Sequence, residues 1–195
     1  MHNNDGIHVI FEAAQPLLYV EDKRTGLPRR TERYDVDGVL KTIYSAVQGN
    51  RNVCGIGVSE VHDGEGHEKM PPLDYALWVS DATKSNIILY RAPGYFPKTA
   101  EHQECYIQKA VEVGITNIVI TGGRSRDFPD GKPIGYTPLE LLEKIKGFGI
   151  SVGGIAIFER LDEARRLVEK TRAVMTYFRS QQIFDAVPVN RVLED

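Results

Sequence analysis

The chain has 195 residues, of which 42% are hydrophobic and 26% are charged, and its formal net charge is -3. These values are typical of a globular protein with one sizeable core, and we predict a single domain over residues 1–195. Because the basic residues are scattered rather than arranged in a stripe, the sequence excludes a surface that binds a nucleic-acid backbone.

The sequence also predicts where the protein resides. No basic, apolar leader and no long apolar span occurs, and the two cysteines, Cys54 and Cys105, lack metal-type spacing. We therefore expect a cytoplasmic protein with reduced thiols and no membrane segment. The one basic run, residues 23–33, is interrupted by Glu, Pro and Gly, and is either an anion-binding loop or a solvated loop.

Apolar runs alternate with helical patterns along the whole chain. Helical spacing of apolar residues follows residue 36, precedes Gly114 and recurs after Arg160, while Thr137 and Glu140 predict a capping box. Residues 73–79 are a short helix or a loop. Such alternation predicts a parallel α/β sheet, and the even spacing favours an incomplete (β/α)8 barrel of about six units over an open sheet. The predicted strands are residues 7–11, 53–59, 86–90, 116–121, 151–157 and 174–179.

Polar residues stand where the predicted strands end, which is where parallel α/β folds place their chemistry. Glu12 lies in the apolar sequence HVIFEAAQP, where burial would raise the pKa of its carboxyl group and suit it to general acid catalysis. The alternative is a buried salt bridge with an arginine. The residues at the strand ends are Glu12, Ser59 with Glu60, Arg91, Arg124, Glu159 with Arg160, and Gln181.

The loop over residues 121–136 is glycine-rich and mixed in charge. Gly122 and Gly123 would let a ligand approach the backbone, and Arg124 could bind phosphate or carboxylate, although such glycines are often simple turn residues. His62 and His67 flank an acidic loop and either bind a metal or are bystanders. We predict no metal site.

These segments, in this order, resemble methylenetetrahydrofolate reductase, a flavin-dependent (β/α)8 barrel family of one-carbon metabolism and methionine biosynthesis. HVIFEAAQP resembles the family's opening FEFFPP motif, and Glu12 falls on its general acid. The stretch GITNIVITGGRSRDFPDGKPIGY is similar to the segment around the family's Arg-Gly-Asp turn, and Tyr136 falls on a tyrosine that contacts flavin. Residues 170–185 match a run in which a lysine binds flavin phosphate and a glutamine contacts folate, here Lys170 and Gln181.

The chain also departs from the family pattern. Gly122, Gly123 and Arg124 stand where the family has Arg-Gly-Asp, which exchanges a negative charge for a positive one beside the expected flavin. IFERLDE lacks the histidine that follows the family's fifth strand, and IILYRAP lacks a histidine and a threonine. Several expected flavin contacts are therefore replaced.

Two hypotheses follow from the resemblance. A reductase would use FAD and NADH or NADPH, protonate methylenetetrahydrofolate or a related pterin with Glu12, and form the methyl product. A folate-binding partner subunit, or a methyltransferase that uses a corrinoid, would keep the pterin pocket without flavin. The resemblance assigns Gln181, Arg124 and Glu159 to the substrate, and it assigns Ser59, Gly122, Gly123, Tyr136 and Lys170 to the cofactor.

An incomplete barrel would leave the edges of its first and last strands unpaired. Unpaired edges favour aggregation unless another chain covers them. We therefore predict a homo-oligomer, a partner chain that completes the barrel, or a longer natural protein.

Overall fold

The structure, a computed structural model, describes residues 9–13, 19–21, 28–30, 36–48, 53–59, 71–92, 100–121, 136–180 and 187–194. The chain forms two compact units, Met1–Leu89 and Tyr90–Asp195. The single domain over residues 1–195 stays a prediction.

The first unit contains parallel strands connected by helices. Strand β1 pairs in parallel with β4, and β4 pairs in parallel with β5, whereas β2 and β3 form a separate antiparallel pair. Ile56, Val58 and Leu89 are fully buried in its core, together with Tyr75 and Val79 of α2. The elements are β1 (Val9–Ala13), β2 (Tyr19–Glu21), β3 (Pro28–Arg30), α1 (Val36–Gln48), β4 (Val53–Val58), α2 (Pro72–Thr83) and the first residues of β5 (Ile87–Arg91).

The second unit continues the alternation of helix and parallel strand. Strand β6 pairs in parallel with β7, and β7 pairs in parallel with β8. Its core contains Ile107, Ile118, Leu141 and Ile145, each with no exposed surface, and burial of each such side chain contributes about 1.5 to 3 kcal/mol. The elements after β5 are α3 (Ala100–Glu112), β6 (Asn117–Ile120), α4 (Pro138–Ile145), β7 (Ser151–Ala156), α5 (Glu163–Arg172), β8 (Tyr177–Ser180) and α6 (Val187–Glu194).

The predicted α/β class with a parallel sheet is confirmed, and residues 73–79 lie in a helix. The β2–β3 pair was not predicted. Among the described residues, β1 and β8 each pair with one strand. The incomplete (β/α)8 barrel and the homo-oligomer or partner chain stay predictions. None of the helices that the structure describes is both long enough and apolar enough to cross a membrane.

The predicted capping box at the start of α4 is confirmed. The hydroxyl oxygen of Thr137 accepts a hydrogen bond from the backbone N–H of Glu140 at 3.3 Å, and the Glu140 carboxylate accepts one from the backbone N–H of Thr137 at 2.8 Å. The two bonds satisfy N–H groups that have no partner inside the helix. Hydrogen bonds from the backbone N–H and the side chain of Thr137 lower the pKa of the Glu140 carboxyl group.

Helices α3 and α5 end in the same way with different residues. The backbone N–H of Ile115 donates to the carbonyl of Ala110, and that of Met175 donates to the carbonyl of Lys170. In both turns the preceding residue has positive φ, 87° at Gly114 and 83° at Val174. Both turns therefore follow the Schellman pattern, in which this position favours glycine. A β-branched residue is strained there, so Val174 costs stability that Gly114 does not.

Candidate functional site

Parallel strands bring the predicted residues of the first unit to neighbouring positions at one edge of the sheet. Glu12 is the fourth residue of β1, and its Cα aligns with that of Gly57 in β4. Ser59 follows β4 directly and is half-buried. The structure describes the backbone of Glu12 and not its side chain, and Glu60 lies outside the described residues.

Two predicted segments of the second unit lie outside the described residues, but the structure describes the residues before them in the chain. Gly122, Gly123 and Arg124 follow Thr121, whose backbone N–H donates to the carbonyl of Arg91 at 2.8 Å. Gln181 follows Ser180, the last residue of β8. The chain therefore enters both segments from the carboxyl ends of strands, as the sequence predicts.

Lys170 belongs to a group of charged residues that surrounds the buried carboxylate of Glu163. Its ammonium donates to the carbonyl of Ile155 at 2.6 Å and to the carboxylate of Glu163 at 3.0 Å, and it lies 6.0 Å from the ring centroid of Phe178. Glu163 is fully buried, and Arg160 lies 3.8 Å from its second oxygen. Because an ammonium has three N–H donors, two of those of Lys170 are in use.

The turn after β7, residues 157–162, is held from two helices. Glu163 of α5 accepts a hydrogen bond from the backbone N–H of Ile157 at 3.1 Å. Arg191 of α6 donates to the carbonyl oxygens of Phe158 at 2.9 Å and Arg160 at 3.2 Å. Glu159, predicted to bind substrate, is exposed within this turn. The turn is thus fixed by backbone contacts while the Glu159 side chain stays accessible.

Tyr136 lies directly before α4 and contacts α3. Its hydroxyl donates to the Glu104 carboxylate at 2.5 Å, its backbone N–H donates to the Gln103 side chain at 3.4 Å, and the ammonium of Lys144 lies 6.0 Å from its ring centroid. The hydrogen bond to Glu104 raises the pKa of the Tyr136 hydroxyl. Tyr136 and Lys170, both predicted to bind flavin, are therefore held by different elements.

Arg91 ends β5, as predicted, but its side chain points to the helices. The guanidinium carbon lies 4.4 Å from the ring centroid of Tyr106 in α3, and the residue has no exposed surface. Burial lowers the pKa of Arg91 to about 10, so the group remains a cation at neutral pH. By sequence, Arg91 is one of a set of polar residues at the predicted strand ends. Its position in the sequence does not decide to which face of the sheet the side chain points.

The opposite face of the second unit carries residues that the sequence did not single out. The guanidinium carbon of Arg179 lies 4.7 Å from the ring centroid of Tyr90, and Tyr177 of β8 aligns with Gly153 of β7. A Cβ atom added at Gly153 would overlap the Tyr177 ring, so that ring lies over the glycine. We call the surface formed by Tyr90, Gly153, Tyr177 and Arg179 the Arg179 face. The sequence feature that could have indicated this face is Arg179 itself, because an arginine within a strand is uncommon unless it is paired or functional.

The described residues contain no group of three or more His, Cys, Asp or Glu side chains that could hold a metal ion. His62 and His67, the two histidines considered for such a role, lie outside the described residues.

Comparison with known proteins gives little guidance. No protein family matches the chain. Cysteine–tRNA ligases of Streptococcus agalactiae serotype V and serotype III are each 36% identical to the chain over 74 residues. The similarity covers 38% of this chain and only 16% of the length of each ligase. Such a partial similarity does not assign the chain to a family.

Proposed function

We propose that the protein is a flavin-dependent reductase of one-carbon metabolism that converts methylenetetrahydrofolate, or a related pterin, to its methyl form. The proposal includes a (β/α)8-type barrel as its fold. FAD is the expected cofactor, and NADH or NADPH is the hydride donor. The observation that supports it is the parallel pairing of β1 with β4 and of β6 with β7 and β8. Such folds bind ligands at the carboxyl ends of their strands, and Ser59, Arg124 and Gln181 follow the ends of β4, β6 and β8 in the sequence.

The chain's own residues would have separate tasks. Glu12 would donate a proton to a ring nitrogen of the substrate, which opens the five-membered ring. Gln181 would hydrogen-bond the pterin, and Arg124 and Glu159 would contact the substrate. Bound FAD would supply hydride transfer, so the net change in the pterin is the gain of one hydride and one proton.

The described residues fit FAD in part. Lys170 has one N–H beyond those used by Ile155 and Glu163, which is enough for one phosphate oxygen. The Tyr136 hydroxyl donates to Glu104 and could serve flavin only as an acceptor. Ser59 is half-buried beside the end of β1, and Gly122 and Gly123 lie outside the described residues.

The engagement of Lys170 favours a second candidate function. A lysine that already forms an ion pair with a buried carboxylate binds a phosphate more weakly than an unpaired lysine would. A folate-binding partner subunit, or a corrinoid-dependent methyltransferase, would need Glu12 and Gln181 and would not need Lys170.

The visible absorbance spectrum of the purified protein separates the two functions. The reductase should retain added FAD, and the bound flavin should bleach with NADH or NADPH and recover its colour with methylenetetrahydrofolate. Glu12→Gln should keep the flavin and the bleaching but slow pterin reduction by about 100-fold or more, as expected for loss of a general acid. Glu143→Gln, on the exposed side of α4, is the matched control. Colourless protein that retains no FAD but binds the pterin would overturn the reductase and support the second candidate.

A further inference from the structure

One side chain of α6 binds the chain on both sides of Glu159. The Nη2 atom of Arg191 donates to the carbonyl oxygen of Phe158 at 2.9 Å and to that of Arg160 at 3.2 Å. These two residues come directly before and directly after Glu159. Nη2 carries two hydrogens, one for each bond, and the guanidinium group is planar and rigid. The two carbonyl oxygens are therefore held at a fixed angle to each other.

The other contacts of this turn are local. The backbone N–H of Arg160 donates to the carbonyl of Ile157 at 3.0 Å, and the Glu163 carboxylate accepts from the backbone N–H of Ile157 at 3.1 Å. They join residues at most six apart in sequence. The bonds from Arg191 span 33 and 31 residues, so they fix the turn relative to α6 and not only within itself.

Glu159 combines a fixed backbone with an accessible side chain. The residue is exposed, whereas Ile157 and Phe158 before it are half-buried. A carboxylate accepts hydrogen bonds, and such bonds weaken steeply when donor and acceptor are misaligned. A group that is already ordered before binding loses less conformational entropy when a ligand arrives. Any substrate bond made by Glu159 thus depends on how firmly the turn is held.

We propose that Arg191 is a positioning residue, which fixes the direction from which Glu159 accepts a hydrogen bond from the substrate. This inference rests on the proposed function for the contact of Glu159 with the pterin. It adds Arg191, and with it α6, to the parts of the chain that determine substrate affinity. Arg191 acts through Glu159 and does not itself contact the substrate.

Amide hydrogen exchange on the full chain measures how firmly Arg191 holds the turn. In Arg191→Met the backbone N–H of Arg160 should exchange about 10-fold faster, the size expected for loss of one charge-assisted hydrogen bond. Exchange at Ile118, a fully buried residue of β6, reports the global stability and should change less. Arg172→Met, at an exposed position that ends α5, is the matched control and should leave both rates unchanged.

A double-mutant cycle measures whether Arg191 acts through Glu159. Calorimetry without flavin or nicotinamide gives the affinity for methylenetetrahydrofolate. Glu159→Ala should weaken binding about 10-fold and Arg191→Met about 5- to 10-fold, as expected for a hydrogen bond to a charged group. The double variant should bind about as weakly as Glu159→Ala alone. A general structural role for Arg191 would instead make the two losses multiply.

Arg191→Lys keeps the test decisive if Arg191→Met does not fold. Lysine retains the charge but lacks the rigid fork, so this variant should recover part of the affinity and of the exchange protection. Unchanged exchange at Arg160 in Arg191→Met, or losses that multiply in the cycle, would overturn the inference and leave the proposed function standing. A wild type that binds no pterin would overturn the proposed function, and the role of Arg191 in substrate binding would fall with it.

Discussion

The ammonium of Lys170 lies 3.0 Å from the carboxylate of Glu163, a side chain with no exposed surface. The two residues are two helical turns apart on α5, and Lys170 also donates to the carbonyl of Ile155 in β7. The pair thus attaches the helix to the strand that precedes it. Breaking a buried ion pair is costly because it leaves the remaining charge without compensation.

Glu163→Gln should lower the free energy of unfolding by about 2 kcal/mol, less than for a fully buried pair because Lys170 is 22% exposed. Urea denaturation measures the change. The double variant with Lys170→Met should lose less than the sum of the two single losses, since neither charge is then left behind. Glu169→Gln, which removes an exposed pair with Arg165, should change stability by less than about 0.5 kcal/mol.

Val174→Gly should stabilise the protein by about 0.5 to 1 kcal/mol, because glycine adopts positive φ without the clash that valine makes. Gly114→Ala at the matching turn after α3 should cost about 1 kcal/mol. No atom lies within 4 Å of a Cβ at Gly114, so that loss would reflect backbone strain alone. A thermal melt in which Val174→Gly unfolds at lower temperature than the wild type would contradict the assigned turn.

Gly153→Ala should destabilise the protein by about 2 kcal/mol, since its methyl group would force the Tyr177 ring off the sheet. Gly147→Ala provides the control because no atom lies within 4 Å of a Cβ there. In the Tyr177→Leu background the cost of Gly153→Ala should shrink. Chemical denaturation of the wild type, Gly153→Ala, Tyr177→Leu and the double variant measures this coupling. If the losses of the two single variants simply add in the double variant, the ring does not contact the methyl group.

The capping box makes stability depend on pH in a defined direction. Because hydrogen bonds from Thr137 lower the pKa of folded Glu140, its contribution is present above the unfolded pKa and disappears as pH falls through the folded pKa. Glu140→Gln can still accept the hydrogen bond but does not titrate. Its urea midpoint should therefore fall less than that of the wild type between about pH 7 and about pH 3.

Much of the backbone could be predicted from sequence because apolar periodicity and capping residues act locally. The strand predicted at 151–157 is Ser151–Ala156, and the capping box begins α4 as expected. The last strand, predicted at residues 174–179, is Tyr177–Ser180. Val174 belongs instead to the turn after α5, because the apolar run continues through that turn and hides the boundary.

The candidate site was harder to predict because it depends on faces and on contacts between distant residues. Arg91 occupies the predicted strand end, but its side chain contacts Tyr106 of α3. Successive residues of a strand point to opposite faces, and the position of a strand end does not say which face a given residue takes. No local pattern links Tyr90 to Arg179. The contact of Glu163 with Lys170 spans two turns of one helix, so helical periodicity could have suggested it.

The ion pair and the hydrogen bond from Lys170 to Ile155 both join residues that are close in sequence. Closing short loops costs little chain entropy, so contacts of this kind can form before long-range ones. We expect β7, α5 and β8 to assemble together in the folding transition state, with Glu163→Gln slowing refolding more than it speeds unfolding. The nucleus of folding would then lie next to the turn that carries Glu159.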